Sequence, residues 1–119
     1  MKRTMKTKKI TIAGKEVAIA YCYATEIAFR KYTGVNIDQF DASDPGHVLY
    51  LILSALIAWS QSQNEEPAVK DEELMYQASP GEIVNALSEV FKLRSEWYEV
   101  PAGEPEDETS GEETDEKNA

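Results

Sequence analysis

The stretch YATEIAFRKYTGVNIDQF (residues 23–40), followed after a short polar break by PGHVLYLILSALIAWSQSQ (residues 45–63), decides the fold of this chain. The first part predicts a short amphipathic helix that stops at Gly34. The second part predicts a helix that is apolar on nearly every side from Val48 to Trp59. A soluble helix without a polar face must be surrounded by other elements of its own chain or of a partner. The stretch therefore predicts a packed helical module, and nothing in it is typical of a catalytic site.

Local signals predict where these two helices begin and end. Thr25 is the predicted N-cap of the first helix, and Gly34 provides its left-handed stop. Asp44 followed by Pro45 is a strong start for the second helix, which we expect to run to about Gln63. The apolar stripe of the first helix is predicted to consist of Ile27, Ala28, Phe29 and Tyr32.

A β-hairpin is predicted upstream of the helices. Apolar residues alternate with small or polar ones on both sides of the turn Ala13-Gly14-Lys15, at positions Ile10, Ile12, Val17, Ile19 and Tyr21. Because an isolated hairpin is marginally stable in water, we expect this one to pack on the helices or to pair with another chain.

Two further helices are predicted downstream. Residues 71–77 form a short helix with Leu74 and Met75 packing inward, and Ser79-Pro80-Gly81-Glu82 matches a capping box that starts the last helix. Apolar residues and Arg94 then recur at helical spacing up to Trp97, and Pro101 ends the helix. From residue 102 onward no apolar residue is larger than alanine, which predicts a disordered tail.

The predicted fold class is mainly α: a compact helical domain of about four helices with a short N-terminal β-hairpin and a disordered acidic C-terminal tail. The predicted boundaries are a basic leader at residues 1–8, the helical domain with its hairpin at 9–100, and the acidic tail at 101–119.

The charge of the chain limits its partners. The net charge is −10, yet residues 1–9 carry five cations and no acid, and residues 100–119 carry eight acids against Lys117. Phosphate contacts need a basic stripe, and only the N-terminal run offers one. Nucleic-acid binding is therefore disfavoured. We interpret the basic run as a solvated leader, with a basic arm as the alternative.

The sequence offers no set of residues for cofactor or metal chemistry. Cys22 is the only cysteine and is expected to be a small buried side chain in a reducing compartment, while His47, the only histidine, is expected to be neutral and structural. No glycine-rich phosphate loop or pair of general acid and base carboxylates is recognisable, so we expect neither a cofactor nor an enzyme.

The apolar run from Val48 to Trp59 has twelve residues, too few for the roughly twenty that span a bilayer, and no signal peptide precedes Ile10. We therefore expect a cytoplasmic protein that does not enter a membrane.

Trp97 and Tyr98 are the candidate partner-binding residues. They fall where the last helix ends, and large aromatic side chains at such a position often anchor a partner protein. The alternative is that they are core aromatics, as most of the other aromatic residues are expected to be.

Four segments carry a resemblance to a known family. They are KKITIAGKEVAIAY (8–21), FRKYTG (29–34), LIAWSQ (56–61) and SPGEIVNALSEVFKLRSEW (79–97), within roughly residues 8–99. In this order they resemble the tail assembly chaperones of long-tailed phages and of prophages.

The resemblance implies a mostly helical protein of the bacterial host cytoplasm that binds and solubilises the tape-measure protein until tail-tube subunits replace it. The implied partners are the tape-measure protein, the tail-tube protein and further copies of the chain. No catalytic residue is implied. The alternative function is a structural virion or head–tail connector protein of a prophage, which would remain in the particle.

Overall fold

The computed structural model describes residues 5–99, and in this range the mainly α fold predicted from the sequence is confirmed. A two-stranded antiparallel hairpin precedes four α-helices, with a short 3-10 helix at Ile37–Gln39. The elements are β1 (Thr7–Ile12), β2 (Lys15–Ala20), α1 (Tyr23–Thr33), α2 (Pro45–Ser62), α3 (Asp71–Gln77) and α4 (Pro80–Tyr98). The predicted tail at 101–119 and the first four residues of the predicted leader lie outside the described residues.

The hairpin turns through two residues with positive φ, Ala13 at 51° and Gly14 at 75°. Two-residue turns of this kind match the twist of the flanking strands. The register pairs Ile10 with Val17 and Ile12 with Lys15, and Ile10, Ile12, Val17 and Ile19 are all buried. Because β1 packs against α4 and β2 against α2, the hairpin covers the helices as expected.

Helix α2 is the centre of the core. Its six consecutive residues Leu51–Leu56 are all buried. Successive helical residues project about 100° apart, so six in a row cover the whole circumference. Helices α1, α3 and α4 and strand β2 surround it. The buried Ser54 hydroxyl donates to the Tyr50 carbonyl at 2.6 Å, so this polar group is satisfied within the helix.

Helix α1 differs from the sequence prediction at its start. The N-cap is Cys22, which is half-buried, and Thr25 lies inside the first turn. The buried Thr25 hydroxyl donates to the Ala20 carbonyl at 3.1 Å and accepts from the Cys22 N–H at 3.2 Å. The prediction of Thr25 as N-cap was therefore wrong: its hydroxyl reaches back to the end of β2 from within the helix. The predicted stop is confirmed, because Gly34 has φ 81°.

The predictions of which side chains of α1 and α3 pack inward are also wrong in part. Of the predicted α1 stripe, Phe29 is buried, whereas Ile27 is 58% exposed and Tyr32 is also exposed. Ile27 and Phe29 are about 200° apart around the helix and cannot face the same side. In α3, Leu74 is buried, but Met75, about 100° further around the helix, is 49% exposed.

The predicted starts of α2 and α4 are confirmed. Asp44 Oδ1 accepts from the Gly46 N–H at 2.8 Å, with Pro45 in the first turn. At α4, the Ser79 hydroxyl accepts from the Glu82 N–H, and Glu82 Oε1 accepts from the Ser79 N–H at 2.9 Å. Helix α2 ends at Ser62, one residue before the expected Gln63.

Candidate protein-binding groove

The sequence-predicted site residues lie at the C-terminal end of α4, against the start of α1. Trp97 is half-buried and packs on the core, and its ring meets the Tyr23 ring edge to face at 5.5 Å between centroids. Tyr98 is 47% exposed, with the Arg94 guanidinium carbon 5.3 Å from its ring centroid. Both aromatic rings therefore make contacts within the chain, and only part of the Tyr98 surface is open to a partner.

Glu26 of α1 links this end of α4 to Tyr21, the residue that follows β2. Its Oε2 accepts hydrogen bonds from the hydroxyls of Tyr21, at 2.7 Å, and Tyr98. Desolvation, and then the hydrogen bond to Glu26, raises the pKa of Tyr98 to about 12. The same causes raise the pKa of the buried Tyr21 above its ordinary value. Both phenols stay protonated and donate to Glu26, so the cluster connects α1, α4 and the segment between β2 and α1.

A larger apolar surface lies at the opposite end of α4. Helix α2 packs against both α3 and α4, and a concave space remains between these two helices. We call it the α2–α3–α4 groove. It contains a cavity of about 450 Å³ lined by Ala42, Ser43, Pro45, Val48, Leu49, Leu74, Met75, Ala78, Pro80, Ile83, Val84 and Leu87. A second cavity of about 200 Å³ adjoins it and adds Gly46, Tyr50, Leu53 and Asp71 to the lining.

The local sequence explains why this groove stays open. Helix α3 has only seven residues and attaches to α2 through the buried Leu74, leaving Met75 on the groove side. On α4, Val84 is 69% exposed even though it lines the cavity. Exposed apolar residues of this kind that share one concave surface are typical of protein-binding sites.

The charged residues around the groove are acidic. Among residues 5–99, Asp71 is the one carboxylate that lines the two cavities, and no lysine or arginine lines them. Asp41 and Asp44 flank the lining residues Ala42 and Ser43. Hydrogen bonds from the Ser43 hydroxyl, at 2.6 Å, and from its N–H lower the pKa of Asp41. Asp41 is therefore an anion at neutral pH.

Helix geometry separates the groove from the sequence-predicted site. Val84 and Trp97 are thirteen positions apart on α4. At about 1.5 Å rise per residue this places them roughly 20 Å apart along the helix axis. The groove and the Trp97–Tyr98 end are thus separate surfaces, and the sequence reasoning did not identify the groove.

Another candidate surface, the α1–α2 groove, lies between the outer sides of these two helices. It has a cavity of about 450 Å³ lined by Ala24, Ile27, Ala28, Lys31, Tyr32, Ile57 and Gln61. Tyr32 stacks on Tyr50 at 4.8 Å between centroids, which fills part of its wall from within the chain. With Lys31 and Gln61 in the lining, this surface is more polar than the α2–α3–α4 groove.

Cys22, which was expected to be buried, is half-buried at the N-cap of α1, and His47 lies in the first turn of α2. His47 Nδ1 accepts from the Asp41 N–H at 3.0 Å, and its ring packs edge to face on Phe29 at 5.7 Å between centroids. Among residues 5–99, no three or more His, Cys, Asp or Glu side chains come together in a way that could hold a metal ion. In the same range, no helix combines the length and the apolar composition needed to cross a membrane.

Comparison of the chain with models of protein families, with curated proteins and with solved structures found no match. The fold and the groove are therefore the observations on which a function can be based.

Proposed function

We propose that this chain is a tail assembly chaperone that binds the tape-measure protein of a long-tailed phage or prophage, with the α2–α3–α4 groove as the client site. The observation that carries the proposal is an apolar groove left open on a small acidic domain. The residue pattern of the four segments described above supports the phage role, and no catalysis is involved.

The groove suits a chaperone because it offers apolar contact without a reactive group. A tape-measure protein is a long helical chain that exposes apolar stripes before the tail tube encloses it, and such stripes aggregate in water. Many copies of a small domain, each covering one stretch, would keep the client in solution. The net charge of −10 then helps the coated complex to repel other complexes.

Co-expression of the chain with the tape-measure protein of the same phage or prophage tests the proposal. The informative variant is Met75→Gln/Val84→Asn, which makes two exposed groove residues polar at similar helix propensity and unchanged charge. Completing the burial of both side chains contributes roughly 1.5–3 kcal/mol. The variant should therefore bind the client at least about tenfold more weakly.

Ile27→Asn is the matched control, since it makes an equally exposed apolar residue polar on the α1–α2 groove. It should recover as much client as the wild-type chain. Trp97→Ala and Tyr98→Ala test the sequence-predicted site in the same assay. Loss of client in these variants or in Ile27→Asn, with full recovery by Met75→Gln/Val84→Asn, would move the client site away from the groove.

The composition of finished particles separates the chaperone from the structural alternative. A chaperone is displaced before the tail is complete, so the chain should be found with the tape-measure protein during assembly and be missing from purified particles. A head–tail connector protein would be present in every particle at a fixed copy number.

A further inference from the structure

We infer that the α2–α3–α4 groove takes an amphipathic helix whose apolar face is flanked by lysine or arginine residues. This inference rests on the proposed chaperone function and specifies which kind of client segment the groove selects.

The shape of the groove calls for a convex partner with regularly spaced apolar side chains. Its two cavities adjoin each other and share Pro45, Leu49, Leu74 and Met75. A helix that places apolar residues at i, i+4 and i+7 can send one anchor into each cavity and cover the wall between them.

A second copy of the chain does not fit this surface. In a twofold contact through the groove, the same patch of both subunits would meet itself. Two concave surfaces leave a void, and the acids Asp44 and Asp71 of one copy would face those of the other. The occupant is therefore a different segment with complementary shape and charge.

The charges at the groove favour basic residues beside the apolar face of that helix. Asp71 lines the smaller cavity, and Glu72 follows it on the exposed side of α3. Two lysines that lie beside α3, Lys15 and Lys70, are already paired. Lys15 Nζ lies 2.7 Å from Glu73 and also donates to the Ala68 carbonyl, and Lys70 Nζ lies 3.9 Å from Glu66.

The partial positive charges of the helix N-termini around the groove do not cancel the negative charge of these acids. Helices α2, α3 and α4 all begin here, and a helix N-terminus carries about half a positive charge. Each of these ends already has a carboxylate. Asp44 accepts from the first-turn N–H groups of α2, and Glu82 accepts from the Ser79 N–H at α4. The start of α3 carries three acids, of which Glu73 accepts from the Lys70 N–H, so Asp71 and Glu72 remain as negative charge available to a partner.

Two synthetic peptides test the charge preference without any tape-measure protein. Both are about 18 residues long, enough to form a helix, and they share one leucine face. In one peptide this face is flanked by lysines and in the other by glutamates. Titration calorimetry with the full chain at low salt should give about tenfold tighter binding of the lysine peptide, since each exposed ion pair contributes a factor of about two to five. Amide NMR shifts of the labelled chain should change at Met75 and Val84.

Two charge variants distinguish a local effect from a general one. Asp71→Asn/Glu72→Gln removes the two carboxylates that remain available to a partner at the start of α3. It should reduce the preference for the lysine peptide to about threefold or less. Glu96→Gln/Glu99→Gln removes the same charge at the far end of α4 and should leave the preference unchanged.

Equal affinity for the two peptides, or an unchanged preference in Asp71→Asn/Glu72→Gln, would overturn the inference. So would shift changes confined to α1, or a dimer of the chain that dissociates on Met75→Gln, because either result assigns the groove another role. If the lysine peptide binds as expected but no tape-measure protein is recovered in co-expression, the groove chemistry stands and the proposed function fails.

Discussion

Alanine substitutions at three consecutive positions of α2 should each destabilise the protein strongly. Leu51 and Ile52 are fully buried, and Leu53 is only 3% exposed. The three side chains span about 200° of the helix circumference. In a surface helix with a solvent face, at least one of three such positions would tolerate alanine. In α2 none should, because β2 and the other three helices surround it.

The expected magnitude follows from this burial. A buried leucine or isoleucine changed to alanine loses about 2–5 kcal/mol, through lost transfer free energy and the cavity left behind. For a domain of this size, 1 kcal/mol lowers the melting midpoint by about 4–8 °C. Each variant should therefore melt at least about 8 °C below the wild type. Val84→Ala, on an exposed position of α4, should stay within about 0.5 kcal/mol of it.

Urea unfolding followed by far-ultraviolet circular dichroism measures these differences, provided that the slope with urea is the same for all variants. A change below about 1 kcal/mol at any one of the three positions would refute the reasoning. It would show that this side of α2 is accessible, and the helix would then have a face available to solvent or to a partner.

Three other changes have defined outcomes. Gly34→Ala should lower stability by about 1 kcal/mol, because φ at this helix end is 81°, whereas Gly81→Ala, at a position with ordinary φ, should not; equal midpoints in thermal unfolding would contradict this. The pKa of Glu82 is lowered by hydrogen bonds from the Ser79, Gly14 and Ala13 N–H groups, so its contribution is present above the unfolded-state pKa and is lost as the pH falls through the folded-state pKa. Unfolding midpoints measured between pH 7 and pH 3 should therefore fall less steeply for Glu82→Gln than for wild type, and an identical pH dependence would exclude this role. Deletion of residues 102–119 should leave the melting midpoint within about 5 °C of that of the full chain, and a larger fall would show that the acidic tail contributes to the fold.

Local sequence signals predicted the elements of the fold well because each signal acts within a few residues. Asp44-Pro45 and the Ser79–Glu82 capping box fix where two helices begin, and Gly34 fixes where α1 ends. The Glu82 carboxylate also accepts from the N–H groups of the hairpin turn at 3.0 and 3.2 Å. This second role depends on how α4 meets the hairpin, and no local pattern could indicate it.

The candidate site was harder to predict because it forms where three helices meet. Val84 falls outside the apolar spacing of α4, and that irregularity was the one available signal for an exposed apolar residue. Met75 was predicted to be buried, since periodicity in a seven-residue helix cannot distinguish it from Leu74. Trp97 and Tyr98 were predicted to bind a partner because they are aromatic residues at a helix end. Their contacts with Tyr23 and Glu26 depend on the tertiary arrangement, which local sequence does not show.

Sedimentation of the tape-measure protein at increasing ratios of this chain tests most directly whether the α2–α3–α4 groove keeps that client soluble. The wild-type chain and Ile27→Asn should move the client from the pellet to the supernatant and remain bound to it. Met75→Gln/Val84→Asn should leave most of the client in the pellet at the same ratios. A client that stays in the pellet with the wild-type chain, or one that the groove variant solubilises equally well, would contradict the chaperone function of the groove.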